Sequence, residues 1–210
     1  MSPIKTERYI LSSFKRFKLE QALRDRAEDR SQEKRRRILE AARGLVLRNG
    51  LRGTTMEAIA RAAEIAKPTL YAHFPDKDAV FAGIVDTLMG ELLAAYDSGM
   101  TGEGDLAGRI GNALAGQYLA LRRALEGSPH ATDLMSEHKR AGIRFRDEDL
   151  RAEGEIAAAL QEAQVADAGG LAQLICAAAY GIALKISDEN EMAAGIRLMC
   201  RRLIETELSR

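Results

Sequence analysis

Five polar side chains between residues 67 and 77 could together bind an anionic polymer. They are Lys67, Thr69, Tyr71, His73 and Lys77. Ammonium, hydroxyl, phenol and imidazole groups on one side of a short helix can donate hydrogen bonds to a phosphate backbone and reach base edges in a groove. The pattern therefore indicates a nucleic-acid-binding surface. Taken alone, Tyr71 or His73 could equally be an ordinary packing residue with a solvated polar tip.

The segment that carries these residues has the pattern of two short helices separated by a tight corner. Thr54 can cap the first helix while Glu57 reaches back to the same turn, which is the pattern of a capping box. Pro68 suits the first turn of the second helix, and Asp76 can cap the helix that follows. The spacing from Thr54 to Phe74 fits a helix-turn-helix, whose second helix enters the major groove.

The rest of the chain predicts an all-α protein, because prolines are few and alternating β-branched runs are absent. A first helix is expected over residues 32–48, with Asn49 and Gly50 as its stop signal. A fourth helix is expected to end at about residue 97, and the Gly142 region is expected to break the chain between two later helices. These later helices are expected at about 105–125, 130–140, 147–164, 168–186 and 189–208.

Charge is unevenly distributed along the 210-residue chain, although the net charge is zero. Residues 1–80 contain 18 Lys and Arg against 11 Asp and Glu, whereas residues 81–210 contain 13 against 20. A basic N-terminal part on an acidic body indicates that one end meets a polyanion. The run Arg35-Arg36-Arg37 by itself could also be a solvated charged surface.

Several other classes of protein lack their sequence signals in this chain. Cys176 and Cys200 have no paired spacing with each other or with His, so neither a disulfide scaffold nor a metal site is expected. No nucleophile–base pair, defined carboxylate pair or phosphate loop indicates an enzyme, and no cofactor is expected. Charged residues interrupt the long apolar stretches and the N-terminus, which argues against a membrane span or a signal peptide and favours the cytoplasm.

The stretch KPTLYAHFPDKDAVF, preceded by TTMEAIARAAEIA and RRRILEAARGLVLRNGLRG, resembles the DNA-binding domain of the tetracycline-repressor (TetR) family of bacterial transcription regulators. The resemblance covers roughly residues 33–90, and its most specific part is the T-L-Y-x-H-F core followed by a Lys and an acidic residue. It implies an N-terminal three-helix DNA-binding domain, a C-terminal helical ligand-binding body and a homodimer. It also implies release from a palindromic double-stranded DNA operator when a small-molecule effector, here unknown, binds.

The resemblance assigns DNA-contacting or contact-positioning places to residues of this chain, and expects Leu70 and Phe74 in the core. The assigned residues are Thr55, Lys67, Pro68, Thr69, Tyr71, Ala72, His73 and Lys77. Thr54, Arg36 and Arg37 are further candidate DNA-binding residues.

Three positions depart from the family pattern. Glu64 stands where the family usually has Gly at the corner, and a left-handed Glu costs ~1 kcal/mol relative to Gly. Ala66 stands where Ser often caps the recognition helix, and the missing cap costs ~1 kcal/mol. Ala72 replaces a frequent aromatic residue or Arg, so base readout there would be an apolar contact, for example with a thymine methyl group. These departures predict an altered corner within a retained fold.

The predicted organisation has four parts. An N-terminal extension (residues 1–30) precedes the DNA-binding domain (31–78), a connecting helix (79–98) and a helical ligand-binding and dimerisation body (99–210). Three interpretations of the extension stay open. It could be a basic arm on DNA, a disordered segment, or an extra helix that packs through Ile10, Phe14 and Phe17.

Candidate functional residues in the body form two sets. Apolar faces on the last two helices predict a four-helix dimer interface, although burial within one chain would produce the same faces. The interface candidates are Leu174, Ala178, Ile182, Ile196, Met199 and Leu203. A ligand pocket among the helices of about 105–164 would combine apolar walls with a few polar anchors. Its candidates, each individually more typical of core or surface, are Tyr118, Arg122, Met135, His138 and Phe145.

The sequence as a whole favours a dimeric, ligand-responsive DNA-binding transcriptional regulator, most often a repressor in the family that it resembles. Two alternatives stay open. One is an all-α enzyme, and the other is a small-molecule-binding protein or scaffold with a vestigial DNA-binding head.

Overall fold

The computed structural model describes the backbone of residues 3–130 and 139–208, and the side chains of residue 18 and of residues 21–130 and 150–208. The described residues form eight α-helices and no strand, which confirms the all-α prediction. In chain order the helices are α1 (Pro3–Gly53), α2 (Met56–Ala62), α3 (Lys67–His73), α4 (Lys77–Met100), α5 (Leu106–Leu125), α6 (Lys139–Glu162), α7 (Ala168–Lys185) and α8 (Glu189–Leu208).

Helix α1 is much longer than the helix predicted over residues 32–48. No Pro or Gly occurs between residues 4 and 43, so the backbone continues as one helix through the predicted extension. Residues 21–37 are exposed on every side, and hydrogen bonds between side chains one turn apart support this polar helix. The packing predicted for Ile10, Phe14 and Phe17 lies outside the described side chains.

The predicted stop of the first core helix is confirmed at Gly50. Its φ of +71° and ψ of 169° break the helical conformation inside α1. Glycine adopts this left-handed φ without a steric penalty, because it has no Cβ. The kink turns the chain, so that the residues after Gly50 lead directly to the start of α2.

A first hydrophobic core holds together the N-terminal part of the molecule, which we call the head. It joins α1, α2, α3 and the first two-thirds of α4, and Leu70 and Phe74 point into it as predicted. The end of α5 also packs against this core through Leu121 and Leu125. The head therefore draws on residues from the predicted body, as well as on residues 31–78.

A second core joins the end of α4 to α5, α6, α7 and α8. Tyr96 is fully buried there, and its hydroxyl donates to the carbonyl oxygen of Ala152 at 3.4 Å. Burial raises the pKa of this phenol above its ordinary value. Because α4 and α5 contribute to both cores, the head and the body are joined by two shared helices.

Helices α4 and α5 approach each other closely at Gly99. A Cβ atom placed on this glycine would lie 2.2 Å from the backbone nitrogen of Ala113. Only a residue without a side chain fits at this distance, so Gly99 permits the contact between the two shared helices.

The region between α5 and α7 differs from the prediction. The helix expected at about 147–164 begins at Lys139 and passes through Gly142, so the break predicted there is wrong. One Gly inside a helix costs only ~1 kcal/mol, which the surrounding helix-forming residues offset. The helix predicted at about 130–140 falls almost wholly on residues outside the described ranges.

By length and composition alone, α4 and α7 are apolar enough to cross a membrane. The apolar residues of α4 lie in the two cores, and half of its apolar window is buried. Only 17% of the corresponding window of α7 is buried. An apolar helix face that is exposed in a single chain indicates a surface for a partner.

Candidate nucleic-acid interface

The corner between α2 and α3 is formed by Glu64, whose φ of +55° is left-handed as predicted. The guanidinium group of Arg37 donates a 3.1 Å hydrogen bond to the carbonyl oxygen of Ala63 and lies 3.9 Å from the Glu64 carboxylate. Helix α1 therefore holds the corner through Arg37. This contact makes Arg37 a residue that positions the helix-turn-helix.

The start of α2 differs from the predicted capping box. Thr55 is the N-cap, and its hydroxyl accepts a hydrogen bond from the Ala58 amide at 3.2 Å. Thr54 is buried, and its hydroxyl donates to the carbonyl oxygen of Gly50 at 2.8 Å. The Thr54 side chain is thus unavailable to DNA, which corrects its assignment as a contact residue. Thr55 is exposed at the helix N-terminus and keeps that assignment as a prediction.

Helix α3 presents one exposed face to solvent. The exposed residues are Lys67, Pro68, Tyr71 and Ala72. Tyr71 is 47% exposed. Leu70 on the opposite side is completely buried. Proline at the start and the inward Leu70 fix the helix, so that its outer face is presented on a rigid element.

Two further predicted contact residues, Thr69 and His73, lie half-buried at the edges of this face. Ala66 precedes the helix in an extended conformation and provides no side-chain cap, as its sequence predicted. Within the first turn of α3, Pro68 has no amide hydrogen, and the amides of Thr69 and Leu70 donate to the carbonyl oxygen of Ala66 at 2.9 and 3.2 Å.

The ammonium group of Lys67 is engaged within the head. Its Nζ lies 3.0 Å from Oε1 of Glu57, so an ion pair joins α3 to α2. Both side chains are at least half exposed, which means that a phosphate group can compete with Glu57 for the ammonium.

Lys77 is half-buried and donates from Nζ to the carbonyl oxygen of Leu51 at 3.0 Å. Asp76 caps α4 as predicted, because its carboxylate accepts the Ala79 amide at 2.7 Å. Lys77 thus ties the start of α4 to the end of α1. A phosphate contact by its ammonium would have to share or replace this bond.

The arginines of the run at residues 35–37 each have an intramolecular partner. Arg36 is paired with Glu33 at 2.8 Å and with Glu40 at 3.2 Å, all on the exposed surface of α1. The guanidinium of Arg35 lies over the Phe74 ring, 4.4 Å from its centroid, in a cation–π contact. Sequence reasoning missed this contact of Arg35, for which the run itself contains no signal.

A cavity of about 260 Å³ lies in the body between α5, α6 and α7. Tyr118 is on its wall, together with Glu153, Gln173, Cys176 and Tyr180. Its wall combines apolar, aromatic and polar side chains. The role of Tyr118 as a ligand contact stays a prediction.

The other predicted pocket residues are not brought to this cavity by the described structure. Arg122 donates to the carbonyl oxygens of Ala183 (2.8 Å) and Ile186 (2.7 Å) at the end of α7. Met135 and His138 lie outside the described residues, and Phe145 lies in α6 outside the described side chains. Arg122 therefore caps a helix, a role that its spacing in the sequence did not indicate.

The predicted dimer residues differ in exposure. Ile196 is completely buried in the second core, which corrects its assignment to the interface. Leu174 is 53% exposed, as an interface residue should be. The remaining four candidates are partly buried; they are Ala178, Ile182, Met199 and Leu203.

Sequence reasoning missed three large exposed side chains on the same two helices. They are Tyr180, Leu184 and Leu198. Helices α7 and α8 carry apolar residues on opposite faces, so periodicity alone could not say which face packs inside the chain. We refer to these three residues and Leu174 together as the apolar face.

Cys200 is buried, and its surroundings raise the pKa of the thiol to about 12, chiefly through desolvation. Cys176 is partly buried beside the cavity. Among the described residues, no group of three or more His, Cys, Asp or Glu side chains could hold a metal ion.

The described part of the chain is all-α, with a helix-turn-helix near its N-terminal end followed by a helical body. Residues 38–84 match the family described as bacterial regulatory proteins, tetR family. The matched range runs from the core part of α1 through α2 and α3 into α4, and so contains the whole candidate interface of α3. Over these residues the match confirms the resemblance noted from the sequence.

Curated regulators match about a third of this chain. The chain is 34% identical over 68 residues to the HTH-type transcriptional regulator YhgD of Bacillus subtilis, covering 32% of this chain and 36% of YhgD. It is 38% identical over 61 residues to the HTH-type transcriptional regulator UidR of Escherichia coli K12, covering 29% and 31%. The chain thus spans about a third of the length of these curated relatives.

The likeness to solved structures extends over most of the molecule. A TetR-like transcriptional regulator from Rhodococcus sp. RHA1 superposes with a TM-score of 0.58 at 21% identity, covering 80% of this chain and 94% of the other. At this identity the likeness concerns the fold alone. The body therefore shares its helical architecture with that regulator.

Proposed function

We propose that the protein is a DNA-binding transcriptional regulator, a repressor that binds a palindromic operator as a homodimer and leaves it when a small molecule binds. The observation that carries this proposal is the exposed face of α3 within a head that matches the tetR family over residues 38–84. A regulator of this kind acts on the chromosome, and we therefore assign it to the cytoplasm.

On DNA, α3 would lie in the major groove with its N-terminal end towards the bases. Lys67 would exchange Glu57 for a phosphate or for the O6/N7 edge of guanine. Tyr71 would donate its phenolic hydrogen to a phosphate, and the Ala72 methyl group would meet an apolar base edge such as a thymine methyl. Thr55 would bind the backbone at the start of α2.

The apolar face supports a dimer. Leu174, Tyr180 and Leu184 on α7 and Leu198 on α8 are each more than half exposed in one chain. A two-fold axis through this face would bring the same helices of two copies together as a four-helix interface. Two recognition helices would then enter successive major grooves about 34 Å apart.

The cavity lined by Tyr118 supports the effector part of the proposal. It lies between α5, α6 and α7, and α7 also carries the apolar face. A ligand there could alter the packing of the dimer helices and so the separation of the two heads. A coupling of ~1–3 kcal/mol would change operator affinity about five- to 150-fold.

The proposal is tested by measuring how the purified full chain binds DNA across a series of salt concentrations. The probes are the DNA upstream of its own gene, a duplex selected by the protein from a random-sequence pool, and an unselected duplex of equal length. We expect sequence-specific binding that weakens steeply with salt. Binding of both specific probes no tighter than of the unselected duplex would contradict the proposal, and would favour a small-molecule-binding protein or scaffold with a vestigial head.

A further inference from the structure

The end of α5 and the residues after it contact both the head and the turn between α7 and α8. We propose that residues 122–130, the coupling segment, transmit the state of the dimer-forming helices to the helix-turn-helix, with Ser128 and His130 as positioning residues. The DNA readout of this proposal rests on the proposed function. The proposed coupling between the α7–α8 turn and the helix-turn-helix rests only on the contacts between the helices, and not on DNA binding.

On the body side, Arg122 fixes the coupling segment to the end of α7. Its guanidinium donates to the carbonyl oxygens of Ala183, Ile186 and Ser187, which are the acceptors that a helix C-terminus leaves unpaired. Arg123 adds an ion pair with Glu189 of α8 at 3.2 Å. A movement of the α7–α8 turn would therefore pull on the last turn of α5.

On the head side, Arg43 of α1 joins three helices. Its Nη2 donates to the carbonyl oxygen of Ala124 at 3.3 Å, and its Nη1 lies 2.9 Å from the Glu91 carboxylate of α4. The Arg43 side chain is only 26% exposed, so solvent screens this network less than a surface pair. The last turn of α5 is thus held against α1 and α4 together.

Beyond α5, the coupling segment rests on the final turn of the first core helix. The Ser128 hydroxyl donates to the carbonyl oxygen of Leu47 at 2.8 Å and accepts the His130 amide at 3.1 Å. The His130 ring packs on Gly50, where an added Cβ would lie 3.1 Å from Nδ1. Gly50 therefore admits the ring as well as supplying the kink.

The turn that Ser128 and His130 hold is connected to the DNA-facing elements. The Gly50 carbonyl accepts the Thr54 hydroxyl at 2.8 Å before α2, and the Leu51 carbonyl accepts the Lys77 ammonium at 3.0 Å at the start of α4. A displaced turn would carry both helix starts with it. The contacts form a continuous path from the α7–α8 turn to the helix-turn-helix. Energetic coupling along this path is established by measuring how variants at its two ends affect each other.

A double-mutant cycle measures the coupling in the full-length chain. Ser128→Ala removes the bond to Leu47, and Arg122→Met keeps an apolar stem while removing the helix cap. We expect each variant to weaken binding to the selected duplex about 3- to 10-fold without dissociating the dimer. The double variant should bind no worse than the weaker-binding single variant, because both changes interrupt one path.

Ser128→Thr retains the hydroxyl and should bind like the wild type. Ser98→Ala is the matched control, since Ser98 is exposed on α4 outside the path. Unchanged affinity in Ser128→Ala, or effects of the two single changes that multiply in the double variant, would overturn the proposal.

Hydrogen–deuterium exchange without DNA tests the path independently of the proposed function. Ser128→Ala should increase exchange in residues 51–55, and Arg122→Met should increase it both there and at the α7–α8 turn. Amides of α8 around Cys200 should remain protected in both variants. If residues 51–55 exchange as in the wild type in both variants, the coupling segment has no such role, even if operator binding is shown. If the wild type fails to select DNA while exchange behaves as expected, the coupling stands and the proposed function fails.

Discussion

Lys67 and Glu57 join the two helices of the helix-turn-helix through an ion pair whose Nζ–Oε1 distance is 3.0 Å. The hydrogen bond from Lys67 is the largest cause of the lowered pKa of the Glu57 carboxyl group. Because both side chains are exposed, the pair contributes little to the free energy of unfolding. Its main consequence is that the Lys67 ammonium has an internal competitor for phosphate.

Glu57→Gln should therefore strengthen DNA binding at low salt by about 2- to 5-fold, because it frees Lys67 and removes a negative charge near the phosphates. The lowered pKa keeps Glu57 ionised at neutral pH, and the pair is lost only as the pH falls through that pKa. The advantage of the variant should accordingly shrink at acid pH. Glu103→Gln, an exposed change in the body, is the control; equal affinities of the two variants would contradict the competition.

Glu64→Gly should stabilise the folded chain by about 1 kcal/mol, because it removes the Cβ from a residue with left-handed φ. Glu64→Ala keeps the Cβ and removes the carboxylate that lies 3.9 Å from Arg37, so it separates backbone strain from the weak ion pair. Urea unfolding of the three proteins measures the difference. A Gly variant no more stable than the Ala variant would show that the corner is not strained.

Ala66→Ser should stabilise α3 by about 1 kcal/mol, because its hydroxyl can accept an amide hydrogen of the uncapped first turn. Ala62→Ser, at the exposed end of α2, is the matched control and should be neutral or slightly destabilising. Thermal unfolding followed by circular dichroism provides the comparison. Equal shifts in the midpoint for both variants would argue against a missing cap.

Ile196 and Leu198 lie two positions apart on α8 but should respond differently to change. Ile196→Ala creates a cavity in the second core and should cost about 2 to 5 kcal/mol in the free energy of unfolding. Leu198→Glu places a charge on the apolar face and should convert dimers to monomers that retain their helical content. Urea unfolding measures the loss of stability in Ile196→Ala, and sedimentation measures the loss of the dimer in Leu198→Glu. A dimer that survives Leu198→Glu combined with Leu184→Glu would contradict the assignment of the apolar face.

Helix ends and caps could be predicted from the sequence, because each depends on a few residues that are neighbours in the chain. Gly50 stops a helix and Asp76 caps one, as their residue types indicated, whereas the left-handed corner at Glu64 was expected from the family pattern alone. Leu70 is expected in the core from the resemblance, and it is completely buried.

Features that depend on distant residues were not predictable in the same way. Thr54 and Thr55 are both plausible caps, and the choice between them is decided by the Gly50 carbonyl that receives the Thr54 hydroxyl. Arg122 finds its acceptors more than 60 residues further along the chain, at Ala183 and Ile186. No spacing rule indicates such a contact, because it depends on how α5 packs against α7.

The assignment of the exposed face of α3 to DNA is tested most directly by the operator affinity of Tyr71→Ala and Lys67→Ala. The mass of the dimer is measured for each variant as well. Both side chains are exposed on α3, so the changes should leave the dimer and its unfolding midpoint unchanged while weakening binding to the selected duplex at least about 5-fold. Wild-type affinity in both variants would contradict the assignment of this face of α3 to DNA.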